Sequence, residues 1–288
     1  MSDDRKEQPV EYIFRAKTKE AFVIKILGEL LANTIRFSPI KINEKGITLT
    51  QADANTEILV DIMLQKENFS SFKCTKPLSF MVNSGHFHKM LRNIKKKDTI
   101  TMYITEDDPS KLGICIEKTD ENNKTTTTIR ISNNRPEQFN LPDGYDNPII
   151  MSVKEFQQIK ALHNISRTVT VSSRPGYIRF FCDGGELWTR DVVHNDNTDE
   201  DTENKDQLII QNFHTHYLTG LTKCAGAGQS SNVQVFVNSN LPLKIKMRAG
   251  NLGDLTIFIK SKEMIEWEDT DNPEEHQEVN EVEEESAE

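Results

Sequence analysis

The chain has 288 residues, a length that suits two domains of ordinary size, and a formal net charge of −10. Its four cysteines form no CxxC pair, and no apolar run approaches the roughly 20 residues that span a bilayer. We therefore expect a protein that lies inside the cell with reduced thiols, without a metal, a cofactor or a membrane partner.

The acidic residues are concentrated in two segments. Residues 266–288 contain 12 acidic residues and no Lys or Arg, and Asn195–Asp206 contains 6 acidic residues and one Lys. Of the 45 acidic and 35 basic residues, 27 and 34 lie outside both segments. The composition of both segments is typical of solvated, disordered chain. The rest of the chain is basic, so the net charge does not exclude contact with nucleic acid.

A pattern of one short strand, one amphipathic helix and further strands recurs about every 60–70 residues. The strand-to-helix parts of its copies are Tyr12–Asn33, Leu78–Asp98, Ile149–Ser166 and Leu208–Gly226. The residues expected to cap the helices are Thr18, Asn83 or Ser84, Ser152 and Asn212. Ser152 with Glu155 forms a capping-box pattern.

Runs of alternating apolar and polar residues follow each predicted helix, as in Gly46–Gln51, Glu57–Leu64 and Leu255–Ser261. A period of two predicts half-buried antiparallel strands, and such sheets pack their helices on one face. The predicted fold class is therefore α+β. It has two similar domains, each built from two copies of the repeat, with helices inside and antiparallel sheets outside.

A segment rich in Pro, Asn, Asp and Gly separates the second copy from the third. Its composition and lack of periodicity predict an extended interdomain connector at residues 133–147. The predicted organisation is an N-terminal extension at 1–11, a first domain at 12–132, a second domain at 148–265 and an acidic disordered tail at 266–288.

The exposed faces of the predicted helices carry several cations and little acid. The second helix shows this most clearly, with an apolar stripe of Phe87, Met90, Leu91 and Ile94. The basic or ionisable positions off the apolar stripes are Lys25, Lys89, Arg92, Lys96, Lys160, His216 and Lys223. Scattered cations without an aromatic platform suit loose contact with phosphates rather than reading of bases.

Phe69–Met102 closely resembles the proliferating cell nuclear antigen family of sliding clamps, through its Phe72-Lys73-Cys74 tripeptide and its basic helix. Three other segments resemble the family's first-domain strand and loop, its connector and its last hairpin: Gly46–Leu64, Arg135–Tyr145 and Leu241–Ile259. The resemblance covers nearly all of residues 12–265. It implies the DNA-clamp (processivity) fold and a ring of three identical subunits, whose helices face duplex DNA and bind it without regard to sequence.

The resemblance also assigns site residues. Lys25, Lys89, Arg92, Lys160 and Lys223 fall on DNA-facing positions. The pocket for a partner's peptide comprises Ala52, Thr56, Leu59, Phe139, Leu141, Pro142, Pro242, Phe258 and Ile259. The subunit interface falls on strands Thr125–Ile131 and Glu186–Val192, with Thr127, Ile129, Ile131, Leu187, Trp188 and Thr189.

The implied partners are DNA polymerase, the clamp loader and other replication or repair proteins that carry a clamp-binding peptide. The implied location is the nucleus, or a cytoplasmic replication site if a large DNA virus encodes the chain. The sequence departs from the family at Ala52, where a large flexible side chain is usual, and at Thr56, where His is usual. Lys260 and Ser261 replace the usual Ala-Pro. These departures predict a variant peptide preference.

Other classes of protein remain as alternatives. A metal-dependent nuclease needs carboxylates fixed on rigid elements, whereas the dense carboxylates lie in Asp199–Glu203 and the tail. His86 and His88 stand two apart, so a helix would point them to different faces. We therefore expect no enzyme. A clamp-like subunit of a heterotrimeric checkpoint ring and a monomeric, non-ring processivity factor are the remaining alternatives.

Overall fold

The structure is a computed structural model, which describes residues 11–119, 123–133, 137–195, 208–227 and 232–271. Residues 1–10 of the predicted extension lie outside the described residues, as do 196–207 of the acidic segment and 272–288 of the tail. Residues 134–136, at the start of the predicted connector, also lie outside them.

The first half of the chain alternates strands with two amphipathic helices among its described residues. In chain order the elements are β1 (Tyr12–Thr18), α1 (Ala21–Thr34), β2 (Phe37–Asn43), β3 (Gly46–Ala52), β4 (Ile58–Gln65), β5 (Ser71–Cys74), β6 (Leu78–Asn83), α2 (Ser84–Leu91), β7 (Thr99–Thr105), β8 (Lys111–Glu117) and β9 (Lys124–Arg130).

The second half repeats this arrangement and adds a helix at its end. Its elements are β10 (Ile149–Ser152), α3 (Val153–Gln158), β11 (Thr168–Arg174), β12 (Tyr177–Asp183), β13 (Thr189–Asn195), β14 (Ile209–His214), α4 (Thr215–Ala225), β15 (Asn232–Phe236), β16 (Leu243–Ala249), β17 (Gly253–Ile259) and α5 (Lys262–Asp271). A 3₁₀ turn, Ile159–Leu162, continues α3.

Among the described residues the strands form three antiparallel sheets. The first has the order β5-β1-β7-β8-β9, the second β10-β15-β16-β17-β4-β3-β2-β6 and the third β13-β12-β11-β14. The second sheet joins the two halves, because β17 pairs with β4 from Gly253↔Leu64 to Ile259↔Ile58. The two predicted domains therefore share one continuous sheet, which the sequence did not predict.

The helices pack on one face of this shared sheet. Ile58 and Val60 of β4 are buried, and Ile58 lies beside Ile26 of α1 and Leu221 of α4. Strand residues of opposite parity, such as Leu59, point to the other face. The prediction of an α+β fold with helices on one side of antiparallel sheets is confirmed.

The helix starts agree with the predicted caps at two of four positions. Asn83 accepts a hydrogen bond from the His86 amide at 2.9 Å, and Ser152 forms the predicted capping box with Glu155. The prediction that Thr18 and Asn212 are N-caps is wrong. Thr18 accepts instead from the amide of Glu20, which is the N-cap of α1. Asn212 pairs with Thr170 in the ladder between β14 and β11, so α4 begins later.

The end of α2 and the start of the acidic tail also differ from the prediction. α2 ends at Leu91, with Arg92 as its C-cap, although Ile94 beyond it is still buried in the core. The predicted disorder from residue 266 is wrong for 266–271, which belong to α5. Ser261 accepts a hydrogen bond from the Met264 amide in the first turn, and Glu263 accepts one from the side-chain amide of Asn212. These contacts fix the start of α5 against β14, which composition alone could not indicate.

Candidate functional site

The ends of α2 and α3 present four predicted DNA-facing cations to solvent. Lys89 lies on α2, Arg92 caps it, Lys96 follows in the next turn, and Lys160 lies on the 3₁₀ turn after α3. All four residues are exposed, and none forms an ion pair with another described residue. Their charges are therefore available to an anion such as phosphate.

Lys25 is less available than the sequence suggested. Its Nζ donates a hydrogen bond to the carbonyl of Ile94 at 3.0 Å. The same ammonium lies 5.7 Å from the ring centroid of Phe22, and Lys96 approaches that ring at the same distance. Lys25 thus ties α1 to the turn after α2 and places two cations around one half-buried ring.

The predicted pair on α4 has partners of its own. Lys223 forms an ion pair with Glu29 of α1 at 2.5 Å, so part of its charge is neutralised within the chain. His216 is exposed to solvent on one side, but partial loss of hydration around its ring and the nearby His214 lower its pKa below the ordinary value. His216 is therefore mainly neutral at pH 7 and contributes little positive charge there.

The candidate partner groove has a floor formed by one row of directly opposed strand residues. Successive cross-strand pairs join Phe236 to Lys244, Lys244 to Phe258, Phe258 to Leu59 and Leu59 to Ala52. Directly opposed residues lie on the same face of a sheet, and Leu59 points away from the helices. The row, here called the floor row, therefore lies on the outer face.

Tyr145 covers one end of the floor row. Its hydroxyl donates to the carbonyl of Pro242 at 2.8 Å, and burial raises the pKa of that hydroxyl. Its ring lies 6.0 Å from that of Phe236 and 6.3 Å from that of Phe258. The last part of the connector is therefore fastened to the sheet by Tyr145. Sequence reasoning missed Tyr145, Phe236 and Lys244, although the alternation of β15 and β16 indicated one shared face for the latter two.

The remaining predicted groove residues differ in exposure. Leu141 is 44% exposed, whereas Phe139 and Pro142 are half-buried, and all three lie in chain without helix or strand. Phe258 and Ala52 are buried within the floor row. The prediction that Ile259 lines this pocket is wrong: Ile259 is fully buried and pairs with Ile58, so it points toward the helices.

Thr56 and Lys260 form one rim of the groove together with α5. Thr56 is exposed and adopts a left-handed backbone with φ of 55° in the turn between β3 and β4. Lys260 donates to the hydroxyl of Thr56 at 3.2 Å and pairs with Glu268 of α5 at 2.5 Å. Lys260, which stands where the family usually has Ala, therefore links α5 to the turn that carries Thr56.

The predicted interface strands each lie at the end of a sheet. β9 ends the first sheet and β13 ends the third, so each has one side without a described strand partner. Ile129 and Ile131 are buried in the chain's own core, while Thr127 is half-buried. The side chains of these two isoleucines are therefore not available to a neighbouring subunit, which leaves the backbone edge.

The second predicted interface strand starts later than expected. β13 begins at Thr189, because Gly184–Leu187 forms a turn in which Gly185 has a φ of +78°. Leu187 and Trp188 precede β13 and are 87% and 50% exposed. Thr189 is exposed at the start of the strand.

Hydrogen bonds to a pair of carboxylates hold α4 against the turn between β3 and β4. The hydroxyl of Tyr217 lies 3.1 Å from Glu57 and 3.2 Å from Asp53. Burial and these two carboxylates raise the pKa of Tyr217, so the hydroxyl stays protonated and donates. His214 approaches Glu57 at 3.8 Å. This cluster couples the two halves of the chain beside Thr56.

The described residues contain no group of three His, Cys, Asp or Glu side chains arranged to hold a metal ion. The cysteines are free, and burial raises the pKa of Cys224 to about 12. No helix in the described ranges is long and apolar enough to cross a membrane.

Comparison with known families matches both halves of the chain. The family model "Proliferating cell nuclear antigen, N-terminal domain" matches residues 13–135, and "Proliferating cell nuclear antigen, C-terminal domain" matches residues 140–263. The proliferating cell nuclear antigen of Chaetomium thermophilum is 23% identical over 257 residues, covering 87% of this chain and 98% of that protein. A probable DNA polymerase sliding clamp of Paramecium bursaria Chlorella virus 1 is 23% identical over 253 residues, covering 86% and 96%.

By class the chain is a DNA sliding clamp, since two clamp domains match it in succession and account for its helical layer and antiparallel sheets. It belongs to the proliferating cell nuclear antigen family, whose members act as processivity factors rather than enzymes.

Proposed function

We propose that three copies of this chain form a closed ring around duplex DNA and hold DNA polymerase and other replication or repair enzymes on it. The observation that carries the proposal is that β9 and β13 each end a sheet among the described residues, in a chain whose helices carry exposed cations. An open edge presents unpaired backbone donors and acceptors to another chain. Antiparallel pairing of β9 with β13 of the next copy uses both edges and closes a ring.

The contact with DNA in this proposal is weak and independent of sequence. Lys89, Arg92, Lys96 and Lys160 are exposed cations on flexible side chains, suited to phosphates rather than to base edges. Contacts of this kind hold a protein near the duplex while allowing it to slide. Lys25 and Lys223 add positive charge to the same surface, although each already has a partner inside the chain.

Native mass spectrometry tests the ring. A single species at three times 33.0 kDa is the expected result. A stable species at 33.0 kDa would instead favour a monomeric, non-ring processivity factor. A trimer that forms only with two different partner chains would favour the heterotrimeric checkpoint ring.

The groove over the floor row is proposed to take a short peptide of a polymerase, a clamp loader or another clamp-binding protein. Leu141 and Phe139 stand at alternate positions of the connector, and the floor row to which Tyr145 fastens it is apolar apart from Lys244. A segment fastened at Tyr145 over an apolar floor can accept one turn of helix with aromatic anchors. Thr56 and Pro242 belong to the rim in this arrangement.

The remaining parts of the proposal concern activity and location. We expect no catalytic activity, and a nuclease assay with added divalent metal tests this directly. We expect the protein at sites of DNA replication, in the nucleus or, if a large DNA virus encodes it, in the cytoplasm. Fluorescence microscopy of a tagged chain in replicating cells distinguishes the two compartments.

A further inference from the structure

The floor row contains one basic residue among apolar neighbours. Lys244 of β16 lies directly between Phe236 of β15 and Phe258 of β17, and Leu59 and Ala52 continue the row. Val235, Ile245 and Ile257 stand next to these residues in β15, β16 and β17, and they belong to the opposite face and are fully buried. The ammonium of Lys244 is therefore on the outer face, within the candidate groove.

Three aromatic rings surround this ammonium. Lys244 Nζ lies 4.9 Å from the ring centroid of Tyr145, 4.7 Å from that of Phe236 and 5.8 Å from that of Phe258. Each distance is within the range of a cation–π interaction, and two of these rings also contact Tyr145 edge-on or tilted. The rings hold the ammonium in place without neutralising its charge.

No described carboxylate forms an ion pair with Lys244. Its neighbour Lys246 lies two residues along the same strand, opposite Gln234 and Thr256, and it contacts none of the described aromatic rings within cation–π distance. The half-buried Lys244 thus brings an uncompensated positive charge into an otherwise apolar row.

We infer that Lys244 determines the specificity of the groove by selecting partner peptides that place a carboxylate beside their aromatic anchor. This inference rests on the proposed docking of partner peptides. An apolar floor alone accepts any apolar anchor, whereas a fixed cation favours an acidic neighbour and disfavours a basic one. Because the rings exclude water from part of the ammonium, salt screens the attraction less than it would between two fully exposed charges.

Fluorescence anisotropy with short synthetic peptides tests the inference on the full-length protein. Each peptide carries two aromatic anchors one helical turn apart in a neutral sequence. One Glu is moved through the flanking positions, with Gln and Lys twins at each position. For the best position, we expect wild type to bind the Glu peptide roughly three- to tenfold more tightly than the Gln twin. The Lys twin should bind more weakly than either.

Variants at Lys244 separate charge from packing. Lys244→Met keeps most of the apolar stem and should bind the Glu and Gln peptides equally. Lys244→Arg keeps the charge and the ring contacts and should retain the preference for Glu. Lys246→Met removes the same charge from the same strand face, away from the rings, and should leave the preference unchanged. Native mass and thermal melting verify that each variant is folded.

The outcomes distinguish this inference from the proposed groove. Equal binding of the Glu and Gln twins by wild type, or an unchanged preference in folded Lys244→Met, overturns the role of Lys244 and leaves the groove intact. Failure of every peptide to bind wild type overturns the groove and this inference together. Loss of binding of the neutral peptide in Lys244→Met alone would show that Lys244 only fastens Tyr145, which also overturns the inference.

Discussion

Lys223 on α4 and Glu29 on α1 form an ion pair with an N–O distance of 2.5 Å, so an acidic residue of α1 partly neutralises a basic residue of α4. Glu29→Gln should release Lys223 and remove a negative charge that repels phosphate. We expect stronger retention on DNA and a salt dependence steeper by up to about one unit of slope. Measuring DNA affinity over a range of salt concentrations checks this. In a Lys223→Ala background the same change should have a smaller effect, and an equal effect in both backgrounds would contradict the release of Lys223.

Replacing Lys89 and Arg92 by Ala should weaken loading or sliding on DNA without altering the mass of the assembly. Each lost phosphate contact should flatten the salt dependence by about one unit of slope. Both side chains are exposed, so folding should be unaffected. The measurement is retention on closed circular DNA as a function of salt.

A matched control for that experiment is Lys41→Ala with Lys66→Ala. Both residues are exposed, on β2 and in the turn after β4, and neither is on one of the helices α1 to α4. The net charge changes by the same amount. Equal loss of DNA retention in the two double variants would mean that overall charge, not the helix face, governs binding. A strong preference for one DNA sequence would also contradict the proposal.

Thr128→Pro should convert the proposed ring into monomers. The Ile131 amide donates to the carbonyl of Ser110, next to β8, and backbone groups alternate sides along a strand. The amide of Ile129 therefore also points toward β8, whereas that of exposed Thr128 points to the open edge. Proline at 128 removes one outward donor while leaving the pairing of β9 with β8 intact.

Sedimentation velocity and circular dichroism check the Thr128 variant together. Thr128→Val keeps the amide and should remain a trimer, so it serves as the control. Proline at the buried Ile129 is a poorer test because it would also remove a hydrogen bond within the subunit. A folded Thr128→Pro protein that still sediments as a trimer would place the interface elsewhere.

Much of the fold could be predicted because its signals are local. The burial of Phe87 and Leu91 follows from a helical period, and the capping box of Ser152 and Glu155 follows from a four-residue pattern. The site was less predictable. Whether Lys244 lies beside Phe236, Phe258 and Tyr145 depends on pairing registers and on the path of the connector, which no single segment specifies.

The errors have physical causes of the same kind. The position of Asn212 favours a helix cap by composition, but its pairing with Thr170 extends β14. The acidic composition after residue 266 suggests disorder, yet Glu263 is held by Asn212 and the helix α5 forms. The local sequence indicates Lys223 as an exposed cation, because its partner Glu29 lies 194 residues away in sequence. Long-range partners decided each case.

The stability of the α3 region should depend on pH through Glu155. Hydrogen bonds from Ser152 hold the pKa of Glu155 below its ordinary value, and His194 adds a smaller effect. A lowered folded pKa stabilises the fold above the unfolded value of about 4.3, and this contribution is lost as the pH falls through the folded pKa. Glu155→Gln should therefore lower the free energy of unfolding by about 0.5 kcal/mol at pH 7.

Urea unfolding of wild type and Glu155→Gln at several pH values measures this effect. The difference between the two proteins should shrink as the solution is acidified below about pH 4.3. Glu106→Gln, a change at an exposed residue outside the helices, should follow wild type throughout. A difference that stays constant down to the lowest pH would show that shape, not charge, carries the contribution of Glu155.

Replacing Phe139 and Leu141 by Ala should abolish binding of a clamp-binding peptide while leaving the trimer and its retention on DNA unchanged. The two residues stand at alternate positions of the connector, and we expect both side chains to contact a peptide on the floor row. Truncating two anchors at the centre of an interface typically costs about a hundredfold or more in affinity. Neither residue is fully buried, so the folded subunit should tolerate the change.

Calorimetry with the neutral aromatic peptide measures the loss of affinity. The control is Asn140→Ala with Asp143→Ala, at exposed positions of the same segment. Equal affinity of wild type and the Phe139, Leu141 variant would mean that partners dock elsewhere on the ring.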